Sequence, residues 1–436
     1  MPSAVTPPTT SGPPRNGRRE RMAAFLGTTV EWYDFYIYGL AAAIAFGPVF
    51  FPNAEPGIAL IASFATFWAG FLARPVGGVV FGHLGDKFGR KNTLVTTLLI
   101  MGVATFAIGL LPGHAQIGVA APILLTVFRA LQGFAVGGEW GGAVLLASES
   151  DTSQAKVRGG MFVQQGSPAG NILATLMFTL VATLPDEQFL AWGWRVPFLL
   201  SALLVVVGLV IRLKIEESEE FTQAKSDNQV VRVPIVELMR HHWQRVAAAV
   251  LASGLGIAMA YFISTFMLSY TTGELGIDRQ VMLNILLLNA VIQFVWQPFA
   301  SRIAERVGVS RFMVATLGAA ALLALPMFLM VETGNPVLIW LALALSTVAG
   351  AGYYAVLAGF LANAFPVHIR YTGVSTSYQL CSTLIGGTTP LVAQFLLNAG
   401  GGSWGGVAVF YVALIAATIA GVLALGSLTA RLSAKS

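Results

Sequence analysis

Long apolar runs set the main constraint on how this chain can fold. They recur along most of the 436 residues. Each run reaches about 20 residues or more, the length a helix needs to cross a hydrocarbon layer about 30 Å thick. Only 10% of the residues are charged, whereas a soluble domain has about 25%. The runs therefore predict an all-α membrane protein with many transmembrane helices.

The hydropathy pattern predicts twelve transmembrane helices in two groups of six. We place these spans at residues 22–50, 58–82, 91–112, 117–147, 157–184, 191–213, 245–272, 280–301, 311–331, 335–364, 371–398 and 404–430. Residues 1–21 are predicted to be a disordered cytoplasmic tail, and residues 22–213 the N-terminal bundle. Residues 214–244 are predicted to be a cytoplasmic linker, and residues 245–436 the C-terminal bundle with a short cytoplasmic tail.

Two motifs recur after about half the chain. The loop Gly82–Lys91, after the second span, has a weaker counterpart in Ser301–Arg311, after the eighth. Likewise, Arg158 and Gly159 open the fifth span and Arg370 opens the eleventh. This repetition predicts two pseudo-symmetric bundles, the architecture of one large class of secondary transporters.

Basic residues lie almost entirely in the loops on one side of the predicted membrane, and the opposite loops hold only Arg279. The positive-inside rule therefore predicts that both termini are cytoplasmic. The net charge of +5 is spread over short loops rather than gathered in a patch. Nucleic-acid binding is therefore not expected.

Two acids lie inside the first apolar run. Glu31 and Asp34 are three residues apart, which puts them on one face of a helix. A carboxylate in the middle of a bilayer costs about 3 kcal/mol or more, so such residues indicate a functional site. Away from the span ends, the other charged residues of the predicted spans also belong to the N-terminal half: Arg74, Arg129 and Glu139, with Arg195 near the outer end of the sixth span. This half is predicted to carry proton coupling.

Asp34 and Arg129 are predicted to meet near the middle of the membrane, since each lies about twelve residues, roughly 18 Å, from an end of its span. Our hypothesis is an ion pair that breaks when Asp34 is protonated. A substrate anion competing for Arg129 would weaken the pair and favour the proton. A static pair that only joins two helices is the alternative. Three roles stay open for Glu31: a second group that gains and loses a proton, a proton relay, or a charge partner of Arg74.

Polar side chains that would face a central cavity are the candidates for substrate binding. Arginine makes bidentate contacts with carboxylates, so Arg74 and Arg129 favour an anionic solute, unless Arg74 only neutralises a nearby acid. The other predicted substrate-binding residues are Tyr38, Gln164, Gln165, Tyr353 and Tyr378. Further uncharged candidates in the C-terminal spans include Asn289, Gln293, Tyr354 and Gln379.

Small and helix-breaking residues predict how some spans pack. Gly133, Gly137 and Gly141 recur every fourth residue on the fourth span, which predicts close approach to another helix. Pro168 predicts a break in the fifth span, and Gly386 with Gly387 predicts one in the eleventh.

The loop after the second span resembles the signature of the major facilitator superfamily, Gly-x-Leu-x-Asp-Arg-x-Gly-Arg-Lys. The matching residues are Gly82, Leu84, Asp86, Gly89, Arg90 and Lys91, with Lys87 in place of Arg. Further segments resemble the metabolite:proton symporter family within it: Glu31-Trp-Tyr-Asp-Phe-x-x-Tyr38, Arg129-x-x-Gln132-Gly133-x-x-x-Gly137-Gly138-Glu139-x-Gly141, Gly193-Trp-Arg-x-Pro-Phe198 and Glu216-Glu-Ser-x-x-Phe221. The first of these segments, with Phe50-Phe-Pro52, is most similar to shikimate-type and related organic-acid carriers.

Because of this resemblance, the charged loop after the second span is predicted to act as a gate. Asp86 would accept hydrogen bonds from the N-terminus of a neighbouring helix or pair with Arg158 of the next inner loop, and Arg90 would pair with an acid nearby. Such a cluster would hold one state and separate when the two bundles rock. Glu139 and Arg370 complete the predicted gating set.

The resemblance implies a proton-coupled symporter that imports a small organic acid by alternating access, as a monomer in the bacterial inner membrane and without a cofactor. The sequence has no Gly-x-x-x-x-Gly-Lys-Ser/Thr loop for ATP and no cluster of metal ligands, so an enzyme is not expected. Three alternatives stay open: symport of an osmolyte such as betaine or proline, proton-driven export, and a membrane sensor that transports nothing.

Overall fold

The apolar runs form helices, since a helix satisfies its own backbone polar groups and hydrocarbon cannot. The computed structural model describes residues 17–88, 90–137, 161–162, 164–213, 234–366 and 369–433. The helices of the N-terminal half are α1 (Gly17–Ile44), α2 (Phe46–Phe50), α3 (Pro56–Phe88), α4 (Arg90–Leu110), α5 (His114–Ile117), α6 (Ala120–Val136), α7 (Gly166–Val181), α8 (Asp186–Ala191) and α9 (Val196–Leu213). Those of the C-terminal half are α10 (Pro234–His241), α11 (Trp243–Tyr261), α12 (Met267–Gly273), α13 (Arg279–Val307), α14 (Val309–Glu332), α15 (Pro336–Ala362), α16 (Arg370–Cys381), α17 (Thr389–Ala399) and α18 (Gly405–Ser433).

The described helices account for the twelve predicted spans. Nine helical segments within the described ranges are long and apolar enough to cross a membrane. The shorter apolar helices α6 and α7 lie at the fourth and fifth predicted spans. α1, which carries Glu31 and Asp34, lies at the first.

The predicted domain boundaries stay predictions, although the helix ends differ from them. α1 begins at Gly17, within the segment predicted to be a tail. α10 lies inside the predicted linker, and α11 begins at Trp243, two residues before the predicted span.

Among the described residues, one buried charge lies in the C-terminal half, near the start of α11. Arg245 of α11 is 8% exposed. Its guanidinium donates to the carbonyl oxygens of Ala364 (2.7 Å) and Leu428 (2.8 Å). Arg245 therefore ties three helix ends of the C-terminal half together.

Two spans of the C-terminal half change from α to π geometry midway. The π segments are Phe262–Phe266, between α11 and α12, and Ser382–Gly386, after α16. The second lies at the break predicted from Gly386 and Gly387. Both segments contact the N-terminal half, at α1 and α3 respectively. Single π turns inside helices are frequent at functional sites, and these two lie where the halves meet.

Polar side chains join the two halves across this contact. Trp68 Nε1 donates to the Thr383 carbonyl at 2.9 Å, and Thr383 Oγ1 donates to the Phe71 carbonyl at 2.8 Å. Gln379 Nε2 donates to the Gly137 carbonyl at 3.1 Å. Because these bonds use backbone acceptors of the opposite half, they break when the halves separate.

Within the N-terminal half, α3 and α6 approach each other closely through glycine. A methyl group on Gly133 would overlap the carbonyl oxygen of Gly70, and one on Gly137 would overlap that of Arg74. The predicted close packing of the fourth span is therefore present at these two positions, while Gly141 lies outside the described residues. This contact holds Arg74 and Arg129 near each other, since they lie on α3 and α6.

The glycine contact predicts that Gly133→Ala destabilises the protein by about 1–3 kcal/mol, because the added methyl must push α3 away from α6. The measurement is the melting temperature of the purified protein in detergent. Gly318→Ala in α14 is the matched control, since a methyl there meets no heavy atom within 4 Å. A Gly133→Ala variant that melts with the parent would contradict the described packing.

Candidate functional site

Asp34 lies inside the N-terminal half rather than facing lipid. Its side chain is 1% exposed. Carboxylate oxygen Oδ2 accepts a hydrogen bond from Thr105 Oγ1 of α4 at 2.8 Å. The other oxygen, Oδ1, is buried and has no hydrogen-bond partner among the described residues. The acid is therefore only partly satisfied, which is costly for a buried carboxylate.

Two neutral side chains connect Asp34 to Arg129. Gln132 Nε2 donates to Thr105 Oγ1 at 2.6 Å, and Arg129 Nη1 donates to Gln132 Oε1 at 3.2 Å. The spacing from Arg129 to Gln132 places both on one face of α6. The path from the guanidinium to the carboxylate therefore runs through an amide and a hydroxyl.

The predicted direct ion pair between Asp34 and Arg129 is absent in this conformation. The two side chains belong to one hydrogen-bonded path, but Thr105 and Gln132 stand between them. The physical reason is the position of Arg129, whose Nε donates to the Phe67 carbonyl of α3 at 3.4 Å. This bond keeps the guanidinium against the rings of Phe35 and Tyr38, out of direct contact with the Asp34 carboxylate.

Aromatic rings hold both buried arginines. The Arg129 guanidinium carbon lies 4.2 Å from the ring centres of Phe35 and Tyr38. The Arg74 guanidinium carbon lies 4.0 Å from the ring centre of Phe35 and 4.6 Å from that of Phe71. Desolvated cation–π contacts of this kind contribute about 2 kcal/mol each. The guanidinium groups of Arg74 and Arg129 therefore both lie against the ring of Phe35.

Neither arginine is fully hydrogen-bonded. Arg129 Nη2 and Arg74 Nε are buried and have no partner within the described part of the chain. Arg129 is 0% exposed and Arg74 is 5% exposed. Guanidinium donors in this state favour an acceptor with negative charge, and a carboxylate matches their geometry.

Glu31 is buried one turn before Asp34, with 6% of its surface exposed. It lies close enough to Tyr354 of α15 to interact with it electrostatically. Asp34 thus contacts the N-terminal half through Thr105, and Glu31 lies near Tyr354 of the C-terminal half.

A small cavity of about 30 Å³ lies between the halves, large enough for about one water molecule. Its polar lining comes from both halves: Tyr36, Ser167, Asn171, Ser264, Asn289, Gln293, Thr347 and Tyr354. The described residues that line it include no charged side chain. Both amide atoms of Asn289 are buried without a partner among the described residues. The cavity therefore offers neutral donors and acceptors.

None of the seven predicted substrate-binding residues lines this cavity. Gln164 and Gln165 instead donate across the halves, to the carbonyl oxygens of Tyr354 (3.2 Å) and Phe294 (3.0 Å). Their Oε1 atoms are buried and lack a partner in the described ranges.

Three predicted tyrosines are engaged inside their own halves. Tyr38 donates to Thr66 Oγ1 at 2.8 Å while its ring lies against Arg129. Tyr353 donates to the Ala252 carbonyl. Tyr378 and Tyr354 share a hydrogen bond of 3.2 Å. Of the predicted neutral candidates, Asn289, Gln293 and Tyr354 do line the cavity.

Four of the five predicted gating residues lie outside the described backbone or side chains. Glu139 and Arg158 lie outside the described residues, and Asp86 and Arg90 lie outside the described side chains. Arg370 is described, and its Nε donates to the Phe365 carbonyl at 3.3 Å. This bond anchors the start of α16 to the end of the preceding segment.

A contact at the predicted outer end joins the halves. Arg279, the first residue of α13, pairs with Asp186 of α8 at 2.7 Å. It also donates to the carbonyl oxygens of Ala182 (3.2 Å) and Leu184 (2.8 Å), and its guanidinium lies 4.1 Å from the Phe189 ring centre. One side chain thus holds the loop between α7 and α8 against the C-terminal half.

Several residues of this site carry no pattern in the sequence that predicts their role. Thr105 and Gln132 had no signal beyond polarity, although Gln132 lies in a family motif. Tyr36, Ser167 and Asn171 were likewise missed, because only the fold brings α1 and α7 to one cavity. Arg279 did carry a signal, as the single basic residue of the predicted outer loops.

The comparisons with known proteins agree with this architecture. The family model described as Major Facilitator Superfamily matches residues 24–387 and residues 250–435. The shikimate transporter of Escherichia coli (strain K12) is 38% identical over 400 residues, 91% of each chain. The inner membrane metabolite transport protein YhjE of the same strain is 38% identical over 421 residues, 94% of each. The glycine betaine/proline/ectoine/pipecolic acid transporter OusA of Dickeya dadantii (strain 3937) is 38% identical over 395 residues, 88% of this chain and 78% of its own.

Solved structures confirm the predicted fold. The crystal structure of a D-xylose-proton symporter superimposes with a TM-score of 0.72 at 15% identity, over 94% of this chain and 97% of its own. The xylose transporter XylE of E. coli, in a partially occluded inward-open conformation, gives a TM-score of 0.71 at 14% identity with the same coverage. At such identities the likeness establishes the two-bundle fold and nothing about the solute.

The outer contact predicts that Arg279→Ala opens the predicted outer end more often. Its bonds are partly exposed, and their loss amounts to about 1 kcal/mol, or roughly a fivefold change in the open population. The measurement is labelling of Ser264→Cys, in the cavity, by a membrane-impermeant maleimide on a Cys381→Ser background. Labelling should rise by that factor. Arg302→Ala, an exposed arginine on the same helix, is the control, and equal labelling of all variants would contradict the prediction.

Proposed function

This chain belongs to the major facilitator superfamily and, within it, to the metabolite:H⁺ symporter family, and we propose that it imports a small organic acid together with protons by alternating access. The family, which consists of transporters, also confirms that the protein is not an enzyme. Proton coupling is assigned to Asp34, Glu31 and Arg129. Binding of the acid is assigned to Arg74 and Arg129 at the cluster and to the polar lining of the cavity.

The observation that carries this proposal is the pair of incompletely bonded arginines. Arg74 and Arg129 are both buried against Phe35, and each keeps a guanidinium nitrogen without a described partner. A solute carboxylate would supply the missing acceptors. A neutral sugar would fit less well, because a hydroxyl accepts a weaker hydrogen bond from a guanidinium than a carboxylate does.

Charge balance explains why such an acid would travel with a proton. When Glu31, Asp34, Arg74 and Arg129 are all ionised, their formal charges cancel. A bound carboxylate alone would add a negative charge to a buried site, which is unfavourable. Protonation of Asp34 restores neutrality. Binding of the anion and of the proton therefore favour each other.

The neutral cavity supports a solute that carries hydroxyl or carbonyl groups beside its carboxylate. Asn289, with both amide atoms unpartnered, could bind such a group as donor and acceptor. The cavity has room for about one water molecule in this conformation, so a solute requires the halves to move apart. The relative named a shikimate transporter fits this kind of solute.

An osmolyte with a quaternary ammonium is the second candidate. Trp32, Tyr36 and Tyr261 form an aromatic cluster with ring centres 5.6–6.1 Å apart, and Tyr36 also lines the cavity. Aromatic rings of this kind bind quaternary ammonium groups. The betaine-transporting relative matches at the same 38% identity, so uptake must decide between the two solute classes.

The membrane assignment follows the relatives. We place the protein in the bacterial inner membrane as a multi-pass monomer with both termini in the cytoplasm, following the basic loops and the E. coli relative named an inner membrane protein.

Uptake into membrane vesicles with an imposed proton gradient tests the solute class. The panel should include shikimate, dicarboxylates, aromatic acids, betaine and proline. We expect accumulation of a hydroxylated carboxylate that collapses when the gradient is dissipated. Accumulation of betaine alone would support the second candidate, and solute movement against its own gradient in the direction opposite to the imposed proton flow would contradict symport.

Asp34→Asn should abolish accumulation driven by the proton gradient while leaving solute exchange across the membrane. The amide keeps the shape and the bond with Thr105 but cannot gain or lose a proton. Both activities are measured with the transported solute of the panel, as net uptake and as counterflow. Glu55→Gln, an exposed acid before α3, is the control. Full gradient-driven accumulation by Asp34→Asn would remove Asp34 from the coupling role.

A further inference from the structure

We propose that Thr105 and Gln132 transmit solute binding at Arg129 to the protonation of Asp34, as positioning residues in a neutral relay. This inference rests on the proposed proton-coupled function. It replaces the direct ion pair expected from the sequence with a hydrogen-bonded path that the structure contains.

The Thr105 hydroxyl has two acceptors for one proton. Its Oγ1 lies 2.8 Å from Asp34 Oδ2 and 2.9 Å from the Met101 carbonyl oxygen. A hydroxyl donates one hydrogen bond and accepts up to two. Thr105 therefore donates either to the carboxylate or to its own helix, while it accepts from Gln132 in both cases.

The two positions correspond to the two protonation states of Asp34. When Asp34 is ionised, every N–H and O–H from Arg129 onward points toward the carboxylate, so the chain of dipoles stabilises the negative charge. When Asp34 is protonated, its O–H donates to Thr105 Oγ1, and the Thr105 hydroxyl turns to the Met101 carbonyl. The three bonds that link Arg129, Gln132, Thr105 and Asp34 Oδ2 exist in both states, and the added proton is the only one gained.

A solute anion would act at the far end of this relay. By attracting the Arg129 guanidinium, it would lengthen the 3.2 Å bond from Nη1 to Gln132 Oε1, the longest side-chain bond of the path. Gln132 would then polarise Thr105 less strongly, and the ionised form of Asp34 would lose support. The solute thus favours protonation without touching Asp34.

Other charged and titratable groups near Asp34 are few among the described residues. Tyr33 and Glu31 lie on its own helix, and Arg129 faces it from α6. Arg74 lies beyond Phe35 on α3, and Tyr261 of the C-terminal half lies against Tyr36. Of these groups, the described contacts connect only Arg129 to Asp34 by hydrogen-bonded side chains.

The experiment compares the pH dependence of solute uptake by proteoliposomes containing the full chain, for the parent and for Thr105→Val, Thr105→Ser and Gln132→Met. Thr105→Val keeps the shape but removes the donor to ionised Asp34. We expect its pH midpoint to rise by about one to two units, the equivalent of one hydrogen bond to a charged group. Gln132→Met should shift the midpoint in the same direction by less. Thr105→Ser should restore the parent midpoint.

The matched control is Thr271→Val. Thr271 is also fully buried in a membrane helix and donates to the carbonyl four residues earlier, at 2.7 Å. A merely structural hydroxyl predicts equal effects at both positions. Counterflow, which needs no net proton movement, reports whether each variant is folded and binds solute.

The outcomes separate the relay from the function on which it rests. If the parent shows pH-dependent, gradient-driven uptake and Thr105→Val keeps the parent midpoint with normal counterflow, the relay is wrong and the symporter stands. If Thr105→Val and Thr271→Val shift equally, the relay is also wrong. If the parent transports solute without any dependence on the proton gradient, the proposed symport fails, and the relay fails with it.

Discussion

Buried charges must cancel in a low-dielectric interior, and this requirement organises the N-terminal half. Glu31, Asp34, Arg74 and Arg129 are each at most 6% exposed. An isolated charge at such a depth costs several kcal/mol, so each group needs a compensating one nearby. Rings stacked on the guanidinium groups compensate part of that cost. The glycine contact between α3 and α6 fixes the distance between the two arginines, and hence where the positive charge lies.

The same requirement links chemistry to motion. Under the proposed function, a site that is neutral when empty would become neutral again only after it gained both an anion and a proton, so intermediate loading would be disfavoured. The contacts between the halves use neutral groups: Gln164, Gln165, Gln379 and Thr383 bond to backbone carbonyls of the opposite half. Such bonds are exchangeable for water when the halves separate. The charged contact of Arg279 lies at the predicted outer end, away from the cluster, where it affects closure rather than charge balance.

Much of the fold was predictable because hydrocarbon imposes simple rules. Run length gave the twelve spans, loop motifs gave the repeat, and the spacing of Gly133 and Gly137 gave a close helix contact. The buried acids and arginines were also predictable, since each is costly in a membrane helix.

The hydrogen-bond partners of these charged residues were not predictable from the sequence. The Nε bond of Arg129 to the Phe67 carbonyl, which turns the guanidinium from Asp34, depends on the relative rotation of α3 and α6. Thr105 is one threonine among several on α4, and no local pattern distinguishes it. The cavity lining was missed for the same reason, because Tyr36 rather than Tyr38 faces the other half.

Proton uptake on solute binding measures the central claim most directly. Purified protein in a weakly buffered detergent solution is mixed with the solute identified by vesicle uptake, and the change in pH is recorded beside the amount bound. Coupled binding at a neutral site predicts the uptake of about one proton for each anion bound, and none by Asp34→Asn. Binding by the parent without proton uptake, or unchanged proton uptake by Asp34→Asn, would contradict it.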